Sequence, residues 1–135
     1  MSKRGSWHQN LLGPTTNKHT AKTRASRSTW PGRFSLWKCS AKKRGLTWNI
    51  TIDDCKEIFL KQNGRCFLTG KALTLEPGTL YTISIDRIDA VKGYEKDNIM
   101  FVCWDVNYLR GVMELEKFIR LCNYVSWVHP ISRSI

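Results

Sequence analysis

The chain has 135 residues, of which 41% are hydrophobic and 24% charged, with six Trp and five Phe. This composition is typical of one folded domain with a modest core and excludes a wholly disordered chain. No run approaches the roughly 20 apolar residues of a membrane span, and the start lacks the apolar segment of a signal peptide. Five cysteines without a secretory signal indicate a reducing compartment. We therefore expect a cytoplasmic protein with no membrane partner.

The net charge of +11 is unevenly distributed. Residues 1–52 hold eleven Lys or Arg and no acidic residue, whereas residues 53–135 hold eleven of each sign. A basic segment interleaved with Trp is typical of proteins that neutralise phosphates and contact bases or grooves. A tail that aids solubility, or one that contacts an acidic membrane, is the alternative. We favour a nucleic acid, because the sequence shows no membrane-anchoring amphipathic helix.

The basic segment divides into an arm and a helix. Residues 1–31 lack a hydrophobic period and predict an extended arm, so the domain proper spans 32–135. Residues 33–44 predict a short basic helix closed by Gly45. Trp7 and Trp30 are expected to contact nucleic acid, whereas Trp48, Trp104 and Trp127 are expected in the core. The basic residues predicted to bind are Lys18, Lys22, Arg24, Arg27, Arg33, Lys38, Lys42, Lys43 and Arg44.

Five further elements follow in chain order. A capping box at the start and Asn-Gly at the end predict a helix over 51–64. Alternating apolar and polar residues predict a strand over 80–86, and an apolar run predicts a second, buried strand over 98–103. A helix capped by an Asp is expected over 105–112. Apolar residues at helical spacing predict a helix with a core-facing side over 114–128, stopped by the following Pro.

The segment from Ser84 to Asn107 concentrates five acidic residues in a basic chain. Asp86 ends the first strand on the face opposite its apolar residues, and Asn107 lies in the first turn of the next helix. If the strands pair and the helix folds across them, both side chains point into one cleft. A carboxylate and an amide oxygen are hard donors that suit Mg²⁺ with several waters retained. Taken separately, the same residues also suit a surface turn, an Asx-turn or a helix cap.

The sequence SIDRIDAVKGYEKDNIMFVCWDVNYLR resembles the core of HNH, or ββα-metal, endonucleases, most of all the phage and mobile-element branch with the pattern DRID…KGY…DN…VC…N. With the upstream AKKRGLTWNIT and LKQNGRCFLTGKAL, the resemblance covers about residues 35–112. It implies a small single α+β domain with a ββα-metal (His-Me finger) core over about 80–112, flanking helices and a basic N-terminal arm.

The resemblance also implies an activity. The protein would be a divalent-metal-dependent endonuclease that hydrolyses phosphodiester bonds in double-stranded DNA, of a homing or nicking type, acting in the cytoplasm of a phage's host. Its cofactor would be Mg²⁺ or Mn²⁺. Monomer and homodimer are both compatible with the sequence.

Catalytic roles are implied by the resemblance for four residues: Asp86, Arg87, Asn98 and Asn107. Asp86 and Asn107 would be the metal ligands, and Asn98 would brace the loop over the site. Arg87 stands where most members carry the His that activates water. A guanidinium stays protonated and cannot accept that proton, but it can clamp the scissile phosphate.

The sequence leaves the general base open. Water activated by the metal or by the substrate phosphate is one alternative. The side-chain candidates are Asp89, Tyr94, Tyr81, His8, His19 and His129.

Many relatives hold a structural zinc beneath the core with two CxxC pairs. The matching positions here are Cys66, Thr69, Cys103 and Val106, so each pair has lost one Cys. Two thiolates do not make a tetrahedral site, and the spacing of the other cysteines gives no support for completing it. We therefore expect an apolar cluster in place of a structural zinc.

A competing interpretation keeps the fold without the chemistry. Because the usual base His is absent, the protein is alternatively a catalytically inactive HNH-fold nucleic-acid-binding protein. A small ribosome- or RNA-associated protein is a third interpretation.

Overall fold

The structure, a computed structural model, describes residues 26–132. These residues form a small single α+β domain, as the sequence predicts, with four helices and two small sheets. None of the helices is long and apolar enough to cross a bilayer. The helices are α1 (Trp30–Lys43), α2 (Ile52–Lys61), α3 (Trp104–Arg110) and α4 (Leu115–Val128). The strands are β1 (Trp48–Asn49), β2 (Ile83–Arg87), β3 (Tyr94–Glu95) and β4 (Ile99–Cys103).

Side-chain caps begin the first two helices. Thr29 accepts a hydrogen bond from Gly32 N at 3.2 Å, so α1 begins at Trp30, two residues inside the predicted arm. Thr51 and Asp54 form the predicted capping box of α2, with reciprocal bonds of 3.1 and 2.9 Å. The prediction that Asp105 caps α3 is wrong, because the N-cap residue of this helix is Cys103.

The two sheets differ in how readily the sequence predicts them. β2 and β4 pair antiparallel, with Asp86 opposite Met100, and both strands were expected. β1 and β3 pair in parallel, and β3 lies in a segment that the local pattern indicates to be a loop. A Cβ at Gly93 would lie 1.8 Å from Thr47 Oγ1, so glycine there permits the close approach of β1 and β3.

Phe101 lies at the centre of the main hydrophobic cluster. It is fully buried and its ring contacts those of Trp30, Trp37 and Phe59 at centroid distances of 6.0, 5.6 and 6.4 Å. Trp30 is therefore half-buried against the core, which leaves only part of its ring for the expected contact with nucleic acid. The burial follows from the early start of α1, which turns this ring toward β4.

The bounds of α4 are as predicted, but most of its apolar residues do not pack against the domain. Within this helix Phe118 is the buried residue, and every residue from Ile119 to Ser132 is exposed. Trp127, expected in the core, is 83% exposed. Hydrophobic period predicts which residues share a face of a helix, but it does not predict that the domain covers that face.

We expect Phe101→Ala to lower the free energy of unfolding by about 3–5 kcal/mol, because it opens a cavity among packed aromatic rings. Urea unfolding followed by Trp fluorescence measures this loss. The control Val91→Ala alters a side chain that is 94% exposed and is expected to change stability by less than about 0.5 kcal/mol. Equal effects of the two substitutions would contradict this description of the core.

Candidate functional site

α3 lies across the polar face of β2. Ser84 and Asp86 alternate on that face, which is opposite the face that buries Ile83 and Ile85. Asn107 Nδ2 donates to Ser84 Oγ at 2.5 Å. One helical turn later, Arg110 Nη1 donates to Asp86 Oδ2 at 2.6 Å. The fold thus brings Asp86 and Asn107 to the same strand–helix contact.

Arg110 is a site residue that sequence reasoning missed. It is 2% exposed, and beside Asp86 its guanidinium donates to the backbone oxygens of Arg87, Ile88 and Met113 at 2.8–2.9 Å. The side chain therefore holds both the Asp86 carboxylate and the chain that leaves β2. Its spacing of three residues from Asn107 places both on one helix face, which is the signal that identifies it.

The Asp86 carboxylate is 8% exposed. Burial is the largest influence on it and raises the pKa of Asp86, while Arg110 and Arg87 act in the opposite direction. Arg110 donates to Oδ2 of this carboxylate, and the backbone of Arg87 also hydrogen-bonds to it. Asn107, whose Nδ2 is directed at Ser84, makes no hydrogen bond through Oδ1 to any residue in the described range. The contact therefore offers one carboxylate and one amide oxygen.

Arg87 faces away from α3 and holds the loop that follows β2. Its Nη1 donates to the oxygens of Ala90 and Lys92 at 2.7 and 2.9 Å. Its guanidinium carbon lies 5.5 Å from the ring centroid of Tyr94, within the range of a cation–π contact. Nε and Nη2 make no hydrogen bond to residues 26–132, so one edge of the guanidinium remains available as a donor.

Asn98 is buried beneath the same loop and uses both ends of its amide. Its Oδ1 accepts from Asp89 N at 2.9 Å. Its Nδ2 donates to the oxygens of Asp89 and Gly93 at 3.1 and 2.9 Å. The side chain thus links both ends of the loop, and any catalytic consequence of that link stays a prediction.

The candidate bases occupy different surroundings. Tyr94 is buried and its hydroxyl accepts from Arg44 Nη2 at 2.7 Å. Asp89 is exposed and its carboxylate accepts from Val91 N within the loop. Tyr81 is also exposed, and His129 lies at the end of α4. His8 and His19 lie outside the described residues.

Apart from Arg33, the predicted binding residues separate into three groups. Lys38, Lys42 and Lys43 are exposed on α1, and Arg44 connects the end of that helix to Tyr94. Arg27 is half-buried before α1. The residues outside the described range are Lys18, Lys22 and Arg24.

The burial of Arg33 contradicts its expected contact with nucleic acid. It is 6% exposed, and Nε and Nη2 both donate to Leu75 O at 3.2 and 3.0 Å. Burial lowers the pKa of Arg33 and nearby Arg27 adds to this effect. Because its guanidinium faces the domain, Arg33 anchors α1 and has almost no surface to offer to a nucleic acid. The charge pattern does not reveal that one basic position of α1 faces inward.

The four positions matching a zinc site in relatives lie together. Cys66 Sγ accepts from the backbone nitrogens of Thr69 and Cys103 at 3.4 and 3.2 Å, and Val106 packs beside them in an apolar cluster. Burial raises the pKa of Cys66, but hydrogen bonds from Thr69, Cys103 and Leu68 outweigh it and lower that pKa overall. Burial raises the pKa of Cys103 to about 11. An apolar cluster therefore surrounds these positions, and the absence of a structural zinc stays a prediction. Residues 26–132 contain no group of three or more His, Cys, Asp or Glu placed to hold a metal.

The chain shares its fold with a solved HNH endonuclease. Its structure is similar to that of the rare-cutting HNH restriction endonuclease PacI, with a TM-score of 0.56 over 88% of this chain and 86% of that chain. The sequences are 15% identical, so the likeness concerns the fold. No protein-family model and no curated protein sequence matches the chain. The described domain accordingly has an HNH-like fold.

We expect Arg110→Met to lower the free energy of unfolding by about 3–5 kcal/mol, because it leaves the Asp86 carboxylate buried without its cation. Removing the carboxylate as well, in Arg110→Met with Asp86→Asn, should recover part of this loss. Urea unfolding of the two single variants and the double variant measures the coupling.

The control for this cycle is Arg120→Met. Arg120 also pairs with a carboxylate, at 2.7 Å from Glu116, but both side chains are 68% exposed and solvent screens the pair. We expect almost no change in stability there. Equal losses at the two arginines would show that Arg110 does not hold a buried charge.

Proposed function

We propose that this protein is a divalent-metal-dependent endonuclease that hydrolyses phosphodiester bonds in double-stranded DNA. The observation that carries the proposal is the meeting of Asp86 and Asn107 at one strand–helix contact, at the end of the strand that also bears Arg87. The fold shared with an HNH restriction endonuclease and the basic first 52 residues support it.

The oxygens available at this contact suit Mg²⁺ or Mn²⁺. Asp86 Oδ1 and Asn107 Oδ1 are hard donors, and two protein oxygens leave positions for water and for a phosphate oxygen. When bound there, the ion would supply charge stabilisation at the scissile phosphate and the leaving oxygen. Arg110 contributes by keeping the carboxylate ionised and its Oδ1 directed away from the guanidinium.

Arg87 and Asn98 act on the phosphate and on the loop. The available edge of Arg87 can donate two hydrogen bonds to one phosphate and neutralise the charge that develops on it. Asn98 fixes the loop whose carbonyls hold the other side of that guanidinium, so it positions Arg87 indirectly. Because Arg87 cannot accept a proton from water, another group must do so. Tyr94, which contacts Arg87, and water activated by the ion are two of the routes.

α1 supplies the surface for the DNA backbone. Its exposed lysines lie in the segment without acidic residues, and Arg44 joins the end of this helix to Tyr94. A duplex bound along α1 therefore reaches the loop that carries Arg87. We further propose a homing-type or nicking role in a phage or mobile element, with cleavage in the host cytoplasm.

A second candidate function is a catalytically inactive nucleic-acid-binding protein with the same fold. Arg87 favours this candidate, because it occupies the position where most HNH endonucleases carry the base His. Both candidate proteins bind nucleic acid and only the endonuclease cleaves it, so binding and cleavage require separate measurements.

We expect the protein to nick or linearise supercoiled plasmid with Mg²⁺ or Mn²⁺, and EDTA to stop the reaction. Asp86→Asn and Asn107→Ala should each lower the rate by roughly 100-fold or more, because the first removes the negative charge of one ligand and the second removes the oxygen of the other. Gel analysis of plasmid conversion measures the rates, and circular dichroism verifies that each variant is folded.

The matched controls are Asp97→Asn and Asn123→Ala, which make the same substitutions at exposed positions outside the site. Both should cleave at the wild-type rate. Binding without cleavage in any divalent metal would favour the inactive binding protein, and full activity of Asp86→Asn would contradict the proposed ligands.

We expect the triple variant Lys38→Gln, Lys42→Gln, Lys43→Gln to bind duplex DNA more weakly at low salt. The slope of log affinity against log salt should fall by about 0.9 for each phosphate that the variant no longer neutralises. Fluorescence anisotropy between low and moderate salt measures the slope. An unchanged slope would show that α1 does not bind the DNA backbone. The control with the same charge change outside the basic segment is Lys61→Gln, Lys71→Gln, Lys117→Gln.

A further inference from the structure

The free end of α4 forms an uncharged apolar surface. Residues 121–132 contain no Lys, Arg, Asp or Glu, in a chain that is 24% charged. Large apolar side chains from 48 to 83% exposed fill this segment: Leu121, Tyr124, Val125, Trp127, Val128 and Ile131. A contiguous exposed surface of this kind marks an interaction site on a folded protein.

The apolar residues of the segment share one side of the helix. Leu121, Val125 and Val128 recur at spacings of four and three, which places them in one stripe. Tyr124 and Trp127 form the adjacent stripe, so together they cover about half of the circumference at 100° per residue. The other side carries polar residues. Because an amphipathic helix owes most of its stability to packing of its apolar side, we expect a partner to cover this side.

We infer that this surface joins two copies of the chain, with the free end of α4 of each copy packed against that of the other. Two molecules that each carry +11 repel one another, so they associate most readily where the surface is uncharged. The end of α4 is such a surface, and the basic α1 is not. An isologous contact uses the same patch twice, and a patch without charges is compatible with itself.

The size and composition of the surface fit this partner. The five side chains of the two stripes expose on the order of 700 Å², comparable with the roughly 800 Å² that each partner contributes to a standard stable interface. Tyr124 and Trp127 belong to the residue types that are enriched in the centres of interfaces. Packing two such helices buries both aromatic rings.

Other partner classes fit less well. A nucleic acid requires cations, and residues 121–132 have none. A helix that lies on a membrane surface normally carries Lys or Arg on its polar side, and here that side holds Asn123, Ser126 and His129. The remaining class of partner is a protein with an uncharged surface, and a second copy of the chain has such a surface. If the proposed function holds, the pair presents two nuclease sites to one duplex.

The experiment measures the mass of the full chain in solution without DNA or metal. At ~100 µM protein, well above a micromolar Kd, light scattering after size exclusion should give twice 15.7 kDa. Val125→Glu places one carboxylate from each copy in the contact and should raise the Kd roughly 100-fold or more. The control Val91→Glu introduces the same charge at an exposed apolar residue in the loop after β2 and should leave the mass unchanged.

A wild-type mass of 15.7 kDa at this concentration would overturn the inference. So would a dimer that Val125→Glu leaves intact, since two copies would then meet elsewhere. Because Val125 is already exposed, thermal unfolding of Val125→Glu should match that of the wild type apart from the effect of dissociation, which excludes misfolding as the cause. The result is independent of cleavage, so a failed plasmid assay would not affect it.

Discussion

The ion pair between Asp86 and Arg110 is the contact on which the candidate site depends. Burying an isolated carboxylate is costly, and its guanidinium partner offsets that cost at 2.6 Å. The same guanidinium binds three backbone oxygens, two of them in the chain just after Asp86. One side chain of α3 therefore joins the helix to the end of β2. If this pair were absent, the carboxylate would have no fixed orientation toward an ion.

The two faces of β2 have different roles in the domain. Ile83 and Ile85 enter the main cluster around Phe101, whereas Ser84 and Asp86 face α3. The alternation of a strand makes this division automatic, because neighbouring side chains point to opposite faces. Core packing on one face thus sets the position of the polar residues on the other, so the candidate site is held by the most rigid part of the fold.

The loop after β2 is held by polar contacts rather than by packing. Arg87 binds two of its carbonyls, Asn98 binds both its ends, and Tyr94 begins the short strand that follows. Tyr94 also receives Arg44 from the end of α1. The basic helix and the loop are therefore connected through Tyr94.

The sequence by itself determined the α+β class, the bounds of most helices and strands, the capping box of α2 and the segment that carries Asp86 and Asn107. These features are local, since caps, periodicity and turn residues act within a few positions. The tertiary structure alone decided the pairing of β1 with β3, the inward side of Arg33, the partial burial of Trp30, the role of Arg110 and the exposure of α4. Each depends on contacts between residues that lie far apart in the sequence. A local sequence pattern does not specify those contacts.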